Sequence, residues 1–197
     1  YTSCKVDSFK LSGAAGGFIE GSVSLRGYDE DTGAIEAGIS KSTKKAWRFV
    51  DAAVKIDGVS IGALVQGFDI EVGNGLESDL YTLASGTKMS EIEFTKLSVS
   101  ASLDLLYETQ SQALHAGKYK SDTAAEVEIT LTSPDEVESG YNYELVITLP
   151  VAQISESSFN LADAGRIKHS MKFTGLEDES NSAIVFELVD GQELAYL

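Results

Sequence analysis

The sequence predicts an all-β fold, a β-sandwich or barrel, from three observations. Apolar and polar residues alternate in several runs; in the stretch FDIEV (residues 68–72), Asp69 and Glu71 separate three apolar side chains. Turn residues divide roughly ten such runs, which is typical of sandwiches and barrels. Helical periodicity is scarce, and proline occurs only at positions 134 and 150. We therefore expect a single β domain over residues 1–197, with one or two short helices.

Each strand follows from a local pattern. A glycine-rich loop at 13–17 separates two alternating runs, which predicts a first hairpin. Asp57-Gly58 supplies the positive-φ residues of a two-residue turn and predicts a tighter hairpin over 53–62. A long strand is expected over 92–105, where serines alternate with apolar residues at the centre. Further strands are expected at 127–131, 143–149, 167–173 and 184–189.

Two helices and one internal similarity complete the expected organisation. The stretch 110–116 predicts a short helix closed by Gly117, and 35–47 is a weaker second candidate. SVSLRGYDE (22–30) is similar to SASLDLLYE (100–108), which suggests a duplicated β unit, with 4–108 and 109–197 packed as one domain. Alternating serine strands also resemble one another by chance, so both explanations stay open.

The charge balance excludes several function classes. The 197 residues contain 15 Lys+Arg against 31 Asp+Glu, a net charge of -16. Phosphate contacts need a basic face, so this balance argues against a nucleic-acid-binding protein. It also disfavours adhesion to an anionic membrane surface. No run approaches the roughly 18 apolar residues of a membrane span, so no membrane association is expected.

Cysteine usage and the first residue bear on how the chain is made. Cys4 is the only cysteine, which excludes an internal disulfide, and no Asn-x-Ser/Thr sequon occurs. Both features fit synthesis in a reducing cytoplasm. Residue 1 is Tyr and no signal-peptide pattern follows. We therefore expect that the native chain starts upstream and that its N-terminal part is missing from this sequence.

The motifs that resemble reactive sites are better explained as turns. Residues 58–62 match GxSxG, with His115 or His169 as a candidate base. A nucleophile elbow requires a strand, a sharp turn and a helix, whereas this serine begins the second arm of a predicted hairpin. The loop 13–17 lacks the strand-to-helix context of a phosphate-binding loop. We expect no catalytic residue and no enzyme activity.

Metal and cofactor sites are not expected either. The acidic turn 29–33 has the acid-x-acid spacing of a calcium loop but lacks the remaining oxygen ligands. The cluster 177–179 reads as a solvated loop. The two histidines lie far apart in the chain without an evident third ligand, which makes a zinc site improbable.

Residues 41–48 form an unusual basic segment in an acidic chain. The segment combines the only tryptophan with four of the 15 basic residues. Tryptophan and arginine are typical interface anchors, so the segment is a candidate contact arm between subunits. A flexible, solvated loop is the alternative explanation. The residues of the arm are Lys41, Lys44, Lys45, Trp47 and Arg48.

One long stretch resembles the signature of the siphophage major tail tube proteins: FDIEVGNGLESDLYTLASGTKMSEIEFTKLSVSASLDLLYE (68–108). CKVDSFKLSGAAGGFIEGSVSLRG (4–27) is similar to an earlier strand pair of that family, and YELVITLPVAQISE (143–156) to a later strand with Pro150 in place. The order of these elements carries the resemblance. Within the first stretch it rests on Asp79, Glu91, Glu93, Lys96, Ser98, Val99, Ser102, Leu103, Tyr107 and Glu108.

This resemblance implies a structural virion protein of the phage tail, made in the host cytoplasm. Its subunits would self-assemble into hexameric rings stacked as a tube, in contact with tape-measure and tail-terminator proteins. DNA would pass through the tube without specific binding, because carboxylates facing the lumen repel phosphate. The acidic residues Asp69, Glu71, Glu77 and Asp79 are the candidates for such a lumen or rim face.

Two other interpretations remain open from the sequence. One is a tube protein of a contractile tail, gene-transfer particle or secretion system. The other is a secreted β-sandwich that binds carbohydrate or another protein. The second predicts exposed aromatics on one face, for which Tyr28, Tyr141 and Tyr143 are candidates.

Overall fold

The computed structural model describes residues 2–29, 44–77, 83, 92–160 and 166–190. Within these ranges the chain is predominantly β, which confirms the predicted fold class. A 3-10 turn (Phe49–Asp51) precedes the third strand, and helix α1 (Thr109–Leu114) continues into a π turn (His115–Tyr119). The strands are β1 (Thr2–Ala14), β2 (Ile19–Asp29), β3 (Ala52–Ile56), β4 (Val59–Ser60), β5 (Val65–Gly73), β6 (Leu76–Glu77), β7 (Glu93–Phe94), β8 (Ser98–Leu106), β9 (Ala125–Glu138), β10 (Tyr141–Asn160), β11 (Lys168–Gly175) and β12 (Val185–Val189).

Ten of the described strands form one antiparallel sheet, in the order β2-β1-β5-β8-β11-β10-β9-β3-β4, with β12 also on β10. Strand β10 joins two halves of this sheet. Its residues 152–160 pair with β11 in the front half, which also contains β8, β5, β1 and β2. Its residues 141–149 pair with β9 in the back half, beside β12, β3 and β4. Pro150 lies where the ladder to β9 shifts register, a position at which its missing N–H is tolerated.

The two halves fold over a single core, as a sandwich or barrel requires. Inward side chains of both halves belong to one buried cluster. At one end the halves are joined directly, because the backbone N–H of Ile19 donates to the carbonyl of Trp47 at 2.9 Å and the N–H of Phe49 to that of Gly17 at 3.0 Å. Phe49 also stacks on Phe68 of β5, with ring centroids 6.2 Å apart.

Strict alternation in β5 and β8 determines which side chains enter the core. Ile70 and Leu103 are fully buried, whereas Glu71 and Asp104 on the same strands are exposed. Burying an aliphatic side chain of this size contributes roughly 1.5–3 kcal/mol. A register slip of one residue would place the acidic residues in the core, so the pairing register of these strands is strongly specified.

The glycine turn after β5 has a specific structural cause. The backbone N–H of Asn74 donates to the carbonyl of Asp7 at 2.8 Å, and its side-chain amide donates to that of Val6 at 2.9 Å. Gly75 adopts φ 54°, and a Cβ there would lie 2.8 Å from the carbonyl oxygen of Lys96. Only glycine combines this conformation with such a close approach of backbone.

Both predicted hairpins are confirmed, by the pairs β1–β2 and β3–β4. Asp57 and Gly58 have φ of 49° and 74°, as a two-residue turn of this kind requires. The predicted continuous strand 92–105 is wrong, because β7 pairs with β6 whereas β8 pairs with β5, and residues 95–97 between them are in no strand.

The helix predictions need correction. Helix α1 begins one residue earlier than predicted. Gly117 does not end the helical region but lies inside the π turn. This turn is closed by the backbone N–H of Lys120, which donates to the carbonyl of His115 at 3.0 Å. Of the second candidate helix, residues 44–47 are not helical and residues 35–43 lie outside the described ranges.

Candidate assembly surfaces

The outward side chains of the front half form one continuous polar face. A single row of this face crosses six strands and consists of Glu20, Ser12, Asp69, Ser102, Lys172 and Glu156. Serines occupy many of the outward positions between the charged residues. In β8, for example, they alternate with buried core residues. The polar face consists of Lys10, Ser12, Glu20, Ser22, Asp69, Glu71, Ser100, Ser102, Asp104, Glu156, Ser158, Lys168, Ser170 and Lys172.

The polar face carries an excess of negative charge. Its acids are Glu20, Asp69, Glu71, Asp104 and Glu156, and its bases are Lys10, Lys168 and Lys172. Lys10 forms an ion pair with Asp69 at 2.9 Å, and this hydrogen bond raises the pKa of the lysine. One carboxylate is therefore locally compensated, whereas Glu71 beside it is exposed.

The structure brings together only part of the acidic set expected from the sequence. Asp69 and Glu71 share the polar face, as their spacing in β5 predicts. Glu77 lies elsewhere, in the two-stranded β6–β7 pair, and Asp79 lies outside the described residues. Sequence reasoning missed the contributions of Glu20, Asp104 and Glu156. The alternation within each strand predicts that these three side chains point outward. The sequence does not predict the strand order that places them on one face.

The basic segment is bound to its own chain where the structure describes it. The backbone N–H of Lys45 donates to the carboxylate of Asp135 at 2.8 Å, and its Nζ lies 3.5 Å from the same group. These contacts, the backbone bond first, lower the pKa of Asp135. The Nζ of Lys44 lies 4.8 Å from the ring centroid of Tyr143. Both lysines therefore contact the β9–β10 hairpin, and Lys41 lies outside the described residues.

The other two members of the segment are also anchored locally. Arg48 forms two side-chain hydrogen bonds with Asp51, at 3.1 and 3.0 Å, which lower the pKa of this carboxyl. Trp47 is half-buried and packs against the core, and its indole N–H is buried without a hydrogen-bond partner among the described residues. A contact between Trp47 and another subunit would therefore require the segment to move.

The two histidines, far apart in the sequence, meet at one end of the core. Their ring centroids are 5.8 Å apart. The hydroxyl oxygen of Ser157 lies 2.7 Å from Nδ1 of His115 and 2.7 Å from Nε2 of His169. Phe159 stacks on His169 at 4.3 Å and packs edge to face against His115 at 5.0 Å. This cluster fastens the π turn to β10 and β11.

The hydrogen-bond chain through Ser157 has a preferred direction. His169 is fully buried and its Nδ1 has no partner among the described residues. An unpaired buried N–H is costlier than an unpaired acceptor, so Nε2 of His169 donates to Ser157 and the hydroxyl of Ser157 donates to Nδ1 of His115. Burial, and secondarily the neighbouring His115, lower the pKa of His169 to about 4.

The motifs set aside in the sequence have ordinary structural roles. Ser60 lies in β4, and the chain continues through a turn into β5 instead of a helix. Asp178 accepts hydrogen bonds from Asn181 and the N–H of Ser180 and so organises a loop. Among the described residues no group of three potential metal ligands is found. Of the 29–33 turn, Glu30 to Gly33 lie outside the described residues.

The aromatic candidates for a binding face are only partly described. Tyr141 is exposed and Tyr143, two positions along β10, lies under Lys44. The side chain of Tyr28 lies outside the described part. No helix in the described ranges is long and apolar enough to cross a membrane.

The described residues define an all-β protein whose main surface feature is a broad polar strand face. The sequence profile of the phage tail tube protein family matches residues 1–175. The chain therefore belongs to the phage tail tube protein family and is a tail component that assembles into a multi-subunit tube.

The other comparisons are more distant. Among solved structures, the tail tube of SPP1, a hybrid solid-state NMR and cryo-EM structure, is 10% identical to this chain with a TM-score of 0.35. The match covers 85% of this chain and 72% of the SPP1 chain. No curated protein sequence matches the chain.

Proposed function

We propose that this chain closes into hexameric rings, which stack as the tail tube, and that the polar face lines the conduit for DNA. The excess of carboxylates on one continuous strand face is the observation that carries this proposal. The protein would act as a structural element of the virion tail, made in the host cytoplasm, and without enzymatic activity.

Repulsion is the physical reason for an acidic lining. DNA carries one negative charge per roughly 1.7 Å of helix axis, and proteins that bind it neutralise phosphates with Lys or Arg. The polar face has five acids against three lysines, so its net charge is negative. It would not neutralise the phosphates of an approaching DNA, and the counterions of the DNA would not be released. The serine hydroxyls between the charges would keep the wall hydrated. DNA would therefore slide past without specific binding.

Ring closure and stacking define the partners. A closed ring needs a head-to-tail contact between two different surfaces of the same chain. The tape-measure protein would occupy the tube before DNA release, and a terminator would cap its end; both partners come from the family resemblance. We further propose that the basic segment, including Lys44, Lys45 and Arg48, contacts an acidic surface of a neighbouring ring. In the assembled tube these contacts would replace the ones that the three residues make within their own chain.

Charge reversal tests the lumen assignment. The double variant Asp69→Lys/Glu71→Lys is expected to form tubes that co-sediment with DNA roughly tenfold better at low salt, because reversed charges neutralise phosphates. Glu177→Lys/Glu179→Lys is the matched control, since it changes the net charge equally on an exposed loop. Equal DNA capture by both variants would contradict the assignment, and capture that persists at high salt would argue against an electrostatic cause.

A further inference from the structure

Among the described residues, no side chain covers the core at one end, between β1–β2 and β12. Phe9 packs edge to face on Phe186, with ring centroids 5.8 Å apart. Beyond this pair, side chains that point inward become exposed: Val23 by 55%, and Leu25 and Leu188 by 59% each. Val6 and Phe186 are exposed by 41% and 45%. We call Val6, Val23, Leu25, Phe186 and Leu188 the apolar end.

The positions of these residues are core positions. Val23 pairs with Phe9, which packs against the core, and Leu188 pairs with half-buried Leu145. Leu25 follows Val23 on the same side of β2. The alternation in both strands therefore continues the core pattern beyond the point where the described part of the chain supplies covering side chains. Exposed contiguous apolar surface of this kind marks an interaction site.

The same region has a free strand edge. Phe18, just before β2, is bridged to Arg48, but from residue 20 to residue 29 the outer edge of β2 pairs with none of the described strands. Unpaired N–H and C=O groups along such an edge are a template for a strand of another chain.

Charge restricts where copies of this chain can meet. With a net charge of -16, two copies repel each other over most of their surfaces. Of the ionisable residues beside the apolar end, Arg26 is paired with Asp7 at 2.9 Å, and Glu187 alternates to the opposite face of β12 from Phe186 and Leu188. A contact at this end therefore brings few carboxylates together, while it removes exposed valine, leucine and phenylalanine from water.

We propose that the apolar end and the outer edge of β2 form the lateral contact with a second copy of this chain. The inference rests on the proposed function, because it assigns ring closure to this surface. A strand of the neighbour pairs with β2, and its apolar side chains cover Val23, Leu25 and Leu188. The contact is head to tail, so the neighbour uses a different surface and each copy keeps its own apolar end for the next.

A single exposed valine provides the test. Val23→Glu places a charge in the contact and is expected to raise the protein concentration needed for tube formation at least tenfold. Leu176→Glu is the control, since Leu176 is also exposed, by 39%, but follows β11, outside the apolar end and outside both edge strands β2 and β4 of the sheet. Its assembly should stay within about twofold of the unchanged protein. Light scattering and negative-stain microscopy measure assembly, and circular dichroism establishes that each variant is folded.

The outcomes separate this inference from the proposed function. Tubes from the unchanged protein and from both variants at the same concentration would overturn the inference and leave the proposed function standing. Equal loss in both variants would overturn it too. Failure of the unchanged protein to assemble at any concentration would count against the proposed function itself, and a closed dimer would exclude the head-to-tail contact.

A second measurement does not depend on any substitution. Amide hydrogen exchange of the unchanged protein, before and after assembly, should show new protection in residues 20–29, because the neighbour's strand would pair with their backbone. Unchanged exchange in β2 upon tube formation would overturn the inference.

Discussion

Acidification from pH 7.5 to 5 is expected to lower the free energy of unfolding by about 2 kcal/mol, through His169 alone. The pKa of this buried imidazole is lowered from 6.5 to about 4, first by burial and then by His115. In the unfolded chain it titrates near its ordinary value. Between these two pKa values the unfolded state binds a proton that the folded state does not, so stability falls as the pH falls. Above about pH 7.5 the group is neutral in both states and has no effect.

The carboxylates affect the stability at a lower pH than His169 does. Ion pairs and hydrogen bonds lower the pKa values of Asp51, Glu128 and Asp135 from ordinary values of 3.8, 4.5 and 3.8. A lowered carboxyl pKa contributes stability that is lost only as the pH falls below those ordinary values. The loss above pH 5 therefore reports on His169, and the carboxylates add to it at lower pH.

Urea denaturation at a series of pH values measures the effect. His169→Gln retains a side-chain N–H that can reach Ser157 but does not titrate, so its unfolding free energy should be nearly constant between pH 7.5 and 5. His115→Gln, at the half-buried end of the chain of hydrogen bonds, should keep most of the slope. An unchanged slope in His169→Gln would show that another group titrates.

Replacement of Ile70 by alanine is expected to destabilise the fold by about 3 kcal/mol, within the range for large-to-small core substitutions. Ile70 is fully buried at the centre of the front half and pairs with Leu11 and Ala101 on its two sides. The substitution removes buried apolar area and leaves a cavity between strands whose pairing prevents collapse.

Glu71→Ala, at the next position, is the control. Glu71 points to the polar face, so its loss should change the unfolding free energy by less than about 0.5 kcal/mol. Chemical denaturation of both variants measures the difference. Similar costs for the two would contradict the assignment of Asp69 and Glu71 to the outer side of β5, on which the lumen proposal depends.

The local parts of the fold were predictable because the signals lie within single strands. Alternation in 68–72 identifies the faces of β5, and Asp57-Gly58 identifies a tight turn. The break between β7 and β8 was not predictable, since it arises from two different partners, β6 and β5, that lie far from it in the sequence. The contact of His115, at the start of the π turn, with Ser157 likewise joins residues that lie 42 positions apart in the sequence.

The candidate surfaces were less predictable than the strands. Asp69 and Glu71 could be placed together because one strand carries both. Glu20, Asp104 and Glu156 join them only through the strand order β2-β1-β5-β8-β11-β10. The meeting of the two histidines and the exposed ends of β2 and β12 are also products of tertiary pairing, which a single sequence does not encode in any local pattern.

A cryo-EM reconstruction of tubes assembled from this protein would show which face of the chain lines the channel. We expect rings of six subunits in which Asp69, Glu71 and Asp104 lie on the inner wall, facing the channel. Placement of these three carboxylates on the outer surface of the tube, with another face of the chain lining the channel, would contradict this expectation.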